Sequence, residues 1–435
     1  MKKKNKAIYL LFLMPFVYFA TACFVVWLVK TSGIYPSGSD TMYHVYRGDY
    51  VYNAIKSGNW YPLYDPAWYN GVEILRYWSP FPAYVMAFCQ YLAGGSQFGA
   101  YLFYIGGVCF LGACVWPFIG RGFNRPYLGA FIGLLWFFMP NNLCAIFIEG
   151  NLARSLSMIF LPVFIYSVYK YLYNHKLRYI PLMVFTFLLM ELCHLGYAGM
   201  VAIAVIIYGI VYIIQKGRKK AVLDVVISMI FGFMLLGIWL VASLRGGITS
   251  LDNSENMANF FQNLWITINP FERLTRGFEY FYFGFAALVV IVFGILFGYK
   301  KSRTGFVTGF IILLMTTKSA YAVLKHLPGS QYLWMLRFIS IALCMILMSF
   351  LMWDRLKKTL VLMLCVLLVV DTIPSLSLIV GEHNDISVQE RMAARQDSTL
   401  ISSAQAVTKQ RLALMDESIL GATGSWLVSD YGRSE

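Results

Sequence analysis

The stretch Gly38-Ser39-Asp40-Thr41-Met42-Tyr43-His44-Val45-Tyr46-Arg47 sets an acid, an imidazole and a guanidinium close together in a mostly apolar chain. On a helix, Asp40, Tyr43, His44 and Arg47 share one face, following the i, i+3, i+4, i+7 rule. A carboxylate and an imidazole one turn apart can share a divalent metal such as Mg or Mn, or work as base and orienter. The plainer reading makes Ser39 or Asp40 the N-cap of a surface helix. Spacing alone favours the plainer reading, since acid–histidine pairs of this kind are common.

Further constellations carry charge where apolar runs begin or end. In Glu149-Gly150-Asn151-Leu152-Ala153-Arg154 the acid and the arginine do not face each other on one helix. A turn at Gly150, with a helix from about Asn151, fits better. Arg154 then lies in a first helical turn, where the dipole disfavours a cation. It points to an anionic partner: Glu149, a lipid headgroup or a phosphate. Glu191 and His194 stand three apart near the end of an apolar run, as a mutual pair or the mark of a wet cavity. No second Glu-x-x-His with two more acids accompanies them, as a carboxylate-bridged dimetal site requires. Arg337, in Trp334-Met335-Leu336-Arg337-Phe338, again opens an apolar run, and phosphate recognition accounts for it. Nearby Lys318 and Lys325 read as side chains snorkelling to lipid phosphates.

Nine aromatic residues lie between positions 60 and 84, Trp60 and Trp78 among them. An interfacial belt explains much of this density. A wall for stacking sugar rings is compatible with it, and Asn59, Asp65, Asn70 and Glu73 offer the hydrogen bonds a sugar needs.

These residues must be held by membrane helices. The 435 residues are 59% hydrophobic and 13% charged, more apolar surface than a soluble domain buries. The apolar runs do not alternate as barrel strands do. Spans are expected at about 7–29, 97–119, 127–144, 155–173, 179–195, 197–215, 222–243, 280–298, 304–318, 336–352 and 359–380. The segment from Pro80 to Leu92 is short, contains Pro80 and Pro82, and fits a helix lying in the interface. With that choice the inner segments carry nineteen Lys and Arg against Asp224 and Asp354 alone. The net charge of +14 is then mostly the positive-inside rule and gives no argument for nucleic acid. The N-terminus is expected in the cytoplasm. Met1-Lys2-Lys3-Lys4 and Cys23 loosely resemble a lipoprotein signal, but the apolar run continues past Cys23 and reads as a retained first span. The eight cysteines sit in or beside apolar runs and read as buried thiols.

The expected fold class is therefore all-α: a polytopic plasma-membrane protein of about eleven helices over residues 1–380. A large first extracytoplasmic loop, 30–96, carries interfacial helices. The tail 381–435 reads as the start of an extracytoplasmic soluble domain, with a helix at 387–409 and a strand at 411–415. The loop 244–279 could act as a lid.

The ordered set of a basic N-terminus, one span, the Asp40 segment, Gly58-Asn59-Trp60-Tyr61-Pro62, Trp78-Ser79-Pro80-Phe81-Pro82 and a second acid after the third span resembles the GT-C superfamily of membrane glycosyltransferases. It is closest to the bacterial YfhO-like branch and to membrane proteins labelled 6-pyruvoyl-tetrahydropterin-synthase-related. Ile148-Glu149-Gly150-Asn151-Leu152-Ala153-Arg154 and Leu336-Arg337-Phe338 share in that resemblance, which covers most of residues 1–380. It implies a transferase that takes a sugar from a polyprenyl-phosphate-linked donor to a glycan or other cell-envelope acceptor. Asp40 would be base or metal ligand, with Glu149 as the second acid and Arg154 or Arg337 near the lipid phosphate. His44, Arg47, Trp60, Trp78 and His194 complete the candidate substrate-binding set. The large outer C-terminal domain expected of the family is mostly missing from the sequence.

No Walker A loop, Gly-x-Gly-x-x-Gly after a strand or Gly-x-Ser-x-Gly is present, so a soluble nucleotide substrate has no support. A polyprenyl-phosphate donor needs none. Two other readings remain: a transporter or flippase of lipid-linked sugars, and a non-catalytic cell-envelope assembly protein. A transporter is expected to carry ionisable residues at mid-membrane on broken helices.

Overall fold

The computed structural model describes residues 2–32, 38, 40–65, 71–245, 261–271, 281–327, 330, 333–353 and 356–380, with the side chains of 2–11, 32 and 300 not described. The tail elements at 387–409 and 411–415, most of the loop 244–279, and Ser39, Trp68, Tyr69 and Asn70 lie outside these residues.

The helices are α1 (Lys2–Ser32), α2 (Thr41–Lys56), α3 (Phe81–Leu92), α4 (Gln97–Gly122), α5 (Pro126–Leu135), α6 (Pro140–Phe147), α7 (Leu152–Asn174), α8 (Tyr179–Cys193), α9 (Leu195–Lys216), α10 (Lys219–Leu235), α11 (Gly237–Arg245), α12 (Leu264–Ile268), α13 (Phe285–Phe297), α14 (Lys300–Met315), α15 (Lys318–Leu324), α16 (Phe338–Met352) and α17 (Lys358–Thr372). Among the described residues the extended pairings are two isolated bridges, Asp65 with Val72 and Gln262 with Thr317.

Among the described residues six helices are long and apolar enough to cross a membrane, and up to eight if each of two bent pairs is one span. The expected segments 179–195, 280–298 and 304–318 are helical at α8, α13 and α14, but these have 15, 13 and 16 residues. At 1.5 Å per residue they fall short of a hydrocarbon core of about 30 Å. One bent pair joins Pro126–Phe138 to Pro140–Phe147 at 44°. Met139 is extended there, because the ring of Pro140 bars the residue before it from the helical region. The other joins α10 to α11 at 65°, breaking at Leu236 and Gly237. α3 has 12 residues, too few to span.

The chain divides into two compact units. One comprises Met1–Ala22, Val108–Ala145 and Arg154–Leu376; the other comprises Cys23–Gly107, Ile146–Ala153 and Ser377–Glu435.

In the larger unit α16 is buried from Phe338 to Leu351, which is why it is apolar on every side. α14 lies against it through Gly305 and Gly309, a small-xxx-small pair that lets helix backbones approach. A Cβ at Gly305 would overlap Ser349, and one at Gly309 would crowd Ile346. The smaller unit packs α2 on α3. Tyr46 and Val51 of α2 and Ala83 and Ala87 of α3 are buried with Ile74 and Leu75 from the connection between them. None of the eight cysteines forms a disulfide, and Cys23, expected to be buried, is exposed. It lies on α1, whose candidate span Phe12–Thr31 is only 28% buried, the mark of a helix side turned to lipid.

Candidate functional site

Within the smaller unit, Asp40 stands at the N-cap position of α2, yet its side chain makes no capping hydrogen bond. The N-cap position expected from sequence is therefore occupied, while the carboxylate is not committed to the amides of its own helix. Asp40, Tyr43, His44 and Arg47 are all half-buried, as residues on one helix face between core and surface should be. The backbone of α2 carries the first turn through His44 N–H to Asp40 carbonyl at 3.2 Å.

The turn at Gly150 forms as the sequence predicts. Gly150 has φ +62, and α7 begins two residues later at Leu152. Glu149 is 8% exposed. Its carbonyl accepts the Asp40 amide at 2.9 Å. The two acids singled out from sequence are thus joined through their backbones. Gly38 and Gly150 make this possible. A Cβ on either would overlap the other's backbone or Thr41. The paired glycines, each beside one of the acids, were a sequence signal that motif reading passed over.

Arg47 and Trp78 are also brought together. The guanidinium carbon lies 4.2 Å from the indole centroid, a cation–π contact. Trp60 is held differently. It is 71% exposed, and its carbonyl receives the Tyr84 hydroxyl at 2.7 Å. Beneath the α2 face, the Asp65–Val72 bridge is closed by backbone bonds of 2.8 and 2.9 Å. The Tyr46 hydroxyl donates to the Asp65 carboxylate, and the Tyr50 hydroxyl to the Tyr64 carbonyl at 2.7 Å. Burial, with the Asp65 carboxylate adding to it, pushes the Tyr50 phenol up to about 12. The Gln90 amide donates to buried Asp49 at 2.5 Å. These bonds fix the loop that carries Trp78.

Within the larger unit, His194 and Arg337 meet. His194 caps α9, its Nδ1 accepting the Tyr197 amide at 3.1 Å. Its Nε2 faces Arg337 Nη1 at 3.5 Å. Arg337 ends a short 3-10 turn, Met335–Arg337, that leads into α16. Its guanidinium carbon lies 4.5 Å from the Trp334 centroid. The Tyr197 and Ser340 hydroxyls are 2.8 Å apart, and Ser340 donates to the Arg337 carbonyl at 3.0 Å. Sequence reading named His194 and Arg337 separately; it missed Tyr197 and Ser340, which carry no charge to draw attention. Arg154, in the first turn of α7, is fully buried, as is Glu191 at 1% exposure near the end of α8. Ionised groups at such depth are costly and are kept where they have a task or a partner.

A family model described as 6-pyruvoyl-tetrahydropterin synthase related domain, membrane protein, matches residues 75–379. No curated protein matches the chain, and no solved structure does.

Proposed function

We propose that this chain, which belongs to the 6-pyruvoyl-tetrahydropterin synthase related family of membrane proteins, is a membrane glycosyltransferase. It takes a sugar from a polyprenyl-phosphate-linked donor and passes it to a glycan or other cell-envelope acceptor at the outer face of the plasma membrane. In this reading the N-terminus is cytoplasmic and the tail is extracytoplasmic. Asp40 draws the proton from the acceptor hydroxyl, which attacks the anomeric carbon as the lipid phosphate leaves. Glu149 supplies the second acid. Arg154 or Arg337 holds the lipid phosphate, and aromatic residues such as Trp60 and Trp78 receive the sugar.

The observation that carries the reading is the Asp40–Glu149 backbone bond of 2.9 Å. It supports a shared task for two acids that the sequence resemblance assigns to one chemistry. Among the described residues no group of three or more His, Cys, Asp and Glu gathers. A metal at Asp40 and His44 therefore needs substrate oxygens or water for its other positions, as Mg-type sites commonly have. When bound there, it would help neutralise charge on the leaving phosphate.

The test uses purified protein in lipid with a panel of polyprenyl-phosphate sugars. Release of polyprenyl phosphate by wild type, lost in Asp40→Asn, is expected. Equal release from both would remove Asp40 from the mechanism. No release from either, with donor still bound, would favour the second reading, a transporter of lipid-linked sugars. The two bent pairs, at 44° and 65°, favour that alternative, since transporters bind substrate at broken helices.

A further inference from the structure

Within the larger unit, hydrogen bonds draw together turns that lie far apart in the chain. The Arg218 guanidinium donates to His175 Nε2, which must accept because arginine carries donors alone. The Tyr212 hydroxyl of α9 donates to the Leu172 carbonyl of α7 at 2.6 Å. The Tyr173 hydroxyl donates to the Lys301 carbonyl of α14 at 3.0 Å. The turn from α7 to α8, the turn from α9 to α10 and the start of α14 therefore occupy one end of this unit.

Positive charge is concentrated there. Segments 170–178, 215–224 and 299–304 hold ten Lys and Arg and one acid, Asp224. That acid is already engaged, accepting the Tyr171 hydroxyl at 2.5 Å. Lys176, Arg178, Arg218, Lys219, Lys220 and Lys301 are exposed, and none of them pairs with a carboxylate among the described residues. The first turns of α8 and α10 contain no acid, so nothing within them offsets their positive ends. Cations gathered in one patch repel one another unless anions lie among them. Loop charge orients a chain in the membrane wherever the loops sit relative to each other; a site for an anion needs them gathered, as they are here.

Apolar neighbours identify the kind of anion. α7 and α9 are long and apolar enough to cross a membrane, and they end at Asn174 and Lys216, so the turns beyond them reach headgroup depth. Leu177, 71% exposed, stands between Lys176 and Arg178. Ile214, two residues before Lys216, and Leu223, one turn into α10, are also exposed. A soluble polyanion gives such side chains nothing to enter. Lipid phosphates with acyl chains beneath them receive cations and apolar groups alike.

We propose that this end of the larger unit is a binding surface for the phosphodiester headgroups of anionic phospholipids. The cations of the gathered turns grip the phosphates, and Leu177 enters the acyl boundary between them. The surface goes beyond the transferase reading, and neither depends on the other.

The experiment places the full chain in phosphatidylcholine nanodiscs that hold a minor fraction of phosphatidylglycerol. The protein is then released into detergent, and the phospholipids it retains are counted by native mass spectrometry. Retained phosphatidylglycerol is expected to exceed its share of the nanodisc. The excess should vanish at about 1 M salt, where the screening length is about 3 Å. Lys219→Gln with Lys220→Gln should weaken phosphatidylglycerol binding about tenfold or more. Both side chains are exposed, so the melting temperature in pure phosphatidylcholine should hold. If that variant melts early, Lys176→Gln with Lys301→Gln, on the other two turns, makes the same test. Leu177→Asn keeps every charge and should also retain less phosphatidylglycerol. Retention at the nanodisc ratio, or an excess unchanged in the stable lysine variant, overturns the proposal. Displacement of the lipid by soluble polyphosphate, with Leu177→Asn retaining as much as wild type, would assign the patch to a soluble polyanion and overturn it too.

Discussion

The Asp40 amide donates to the Glu149 carbonyl at 2.9 Å, and this bond depends on two glycines rather than on either carboxylate. Gly150 sits at φ +62, the left-handed region that favours glycine. Any Cβ there also overlaps Thr41. Gly150→Ala is therefore expected to cost roughly 1–3 kcal/mol from backbone strain alone, with the overlap added. Thermal melting and polyprenyl phosphate release should both fall. A Gly150→Ala protein with unchanged melting and turnover would show that the tie is dispensable.

The Arg47–Trp78 contact at 4.2 Å makes a second, separable prediction. Both groups are half-buried, so the cation–π term should be worth about 0.5–2 kcal/mol. A double-mutant cycle with Arg47→Gln and Trp78→Leu isolates it. Coupling within that range in denaturation midpoints is expected. Strict additivity would mean that the two side chains merely lie near each other.

Sequence periodicity made the shared face of α2 and the turn at Gly150 legible, because both are set by residues adjacent in the chain. Apolar run length likewise placed the helices, including the short α3. It could not show that Pro140 and Gly237 divide two of those runs into bent pairs. A run of hydropathy reports burial in lipid, not straightness. Nor could it pair His194 with Arg337, which lie 143 residues apart. Arg337 was visible as a cation at a helix start, but its histidine partner is chosen by packing of α9 on α16. Asp40 shows the limit from the other side. Sequence gives the N-cap position, and only coordinates reveal that the carboxylate does not cap.

Tyr50 gives a pH prediction. Its phenol is raised to about 12 by burial first and the Asp65 carboxylate second, against about 10 in an unfolded chain. The folded state thus binds this proton more tightly. Its contribution to stability is fully present below pH 10 and is lost as pH rises through 12. A phenolate absorbance difference between wild type and Tyr50→Phe should therefore appear with a midpoint near 12. A midpoint near 10 would mean that water reaches the hydroxyl freely.

The start of α13 poses a capping problem that another helix solves. Its N-cap residue, Gly284, offers no side chain to the orphan amides, which cost free energy when left unpaired away from water. Asp371, in the last turn of α17, supplies the acceptors: one oxygen takes the Tyr282 hydroxyl and the other the Ala286 amide at 3.2 Å. The same hydroxyl oxygen accepts the Phe285 amide at 3.0 Å. Removing the carboxylate in Asp371→Ala strands these donors and should destabilise the protein by about 1–3 kcal/mol. Asp371→Asn keeps one acceptor but loses the negative charge that favours a helix N-terminus, so it should fall between alanine and wild type. Denaturant midpoints in micelles measure the order. Asn as harmful as Ala would place the effect in the charge; Ala as stable as wild type would mean that water replaces the cap.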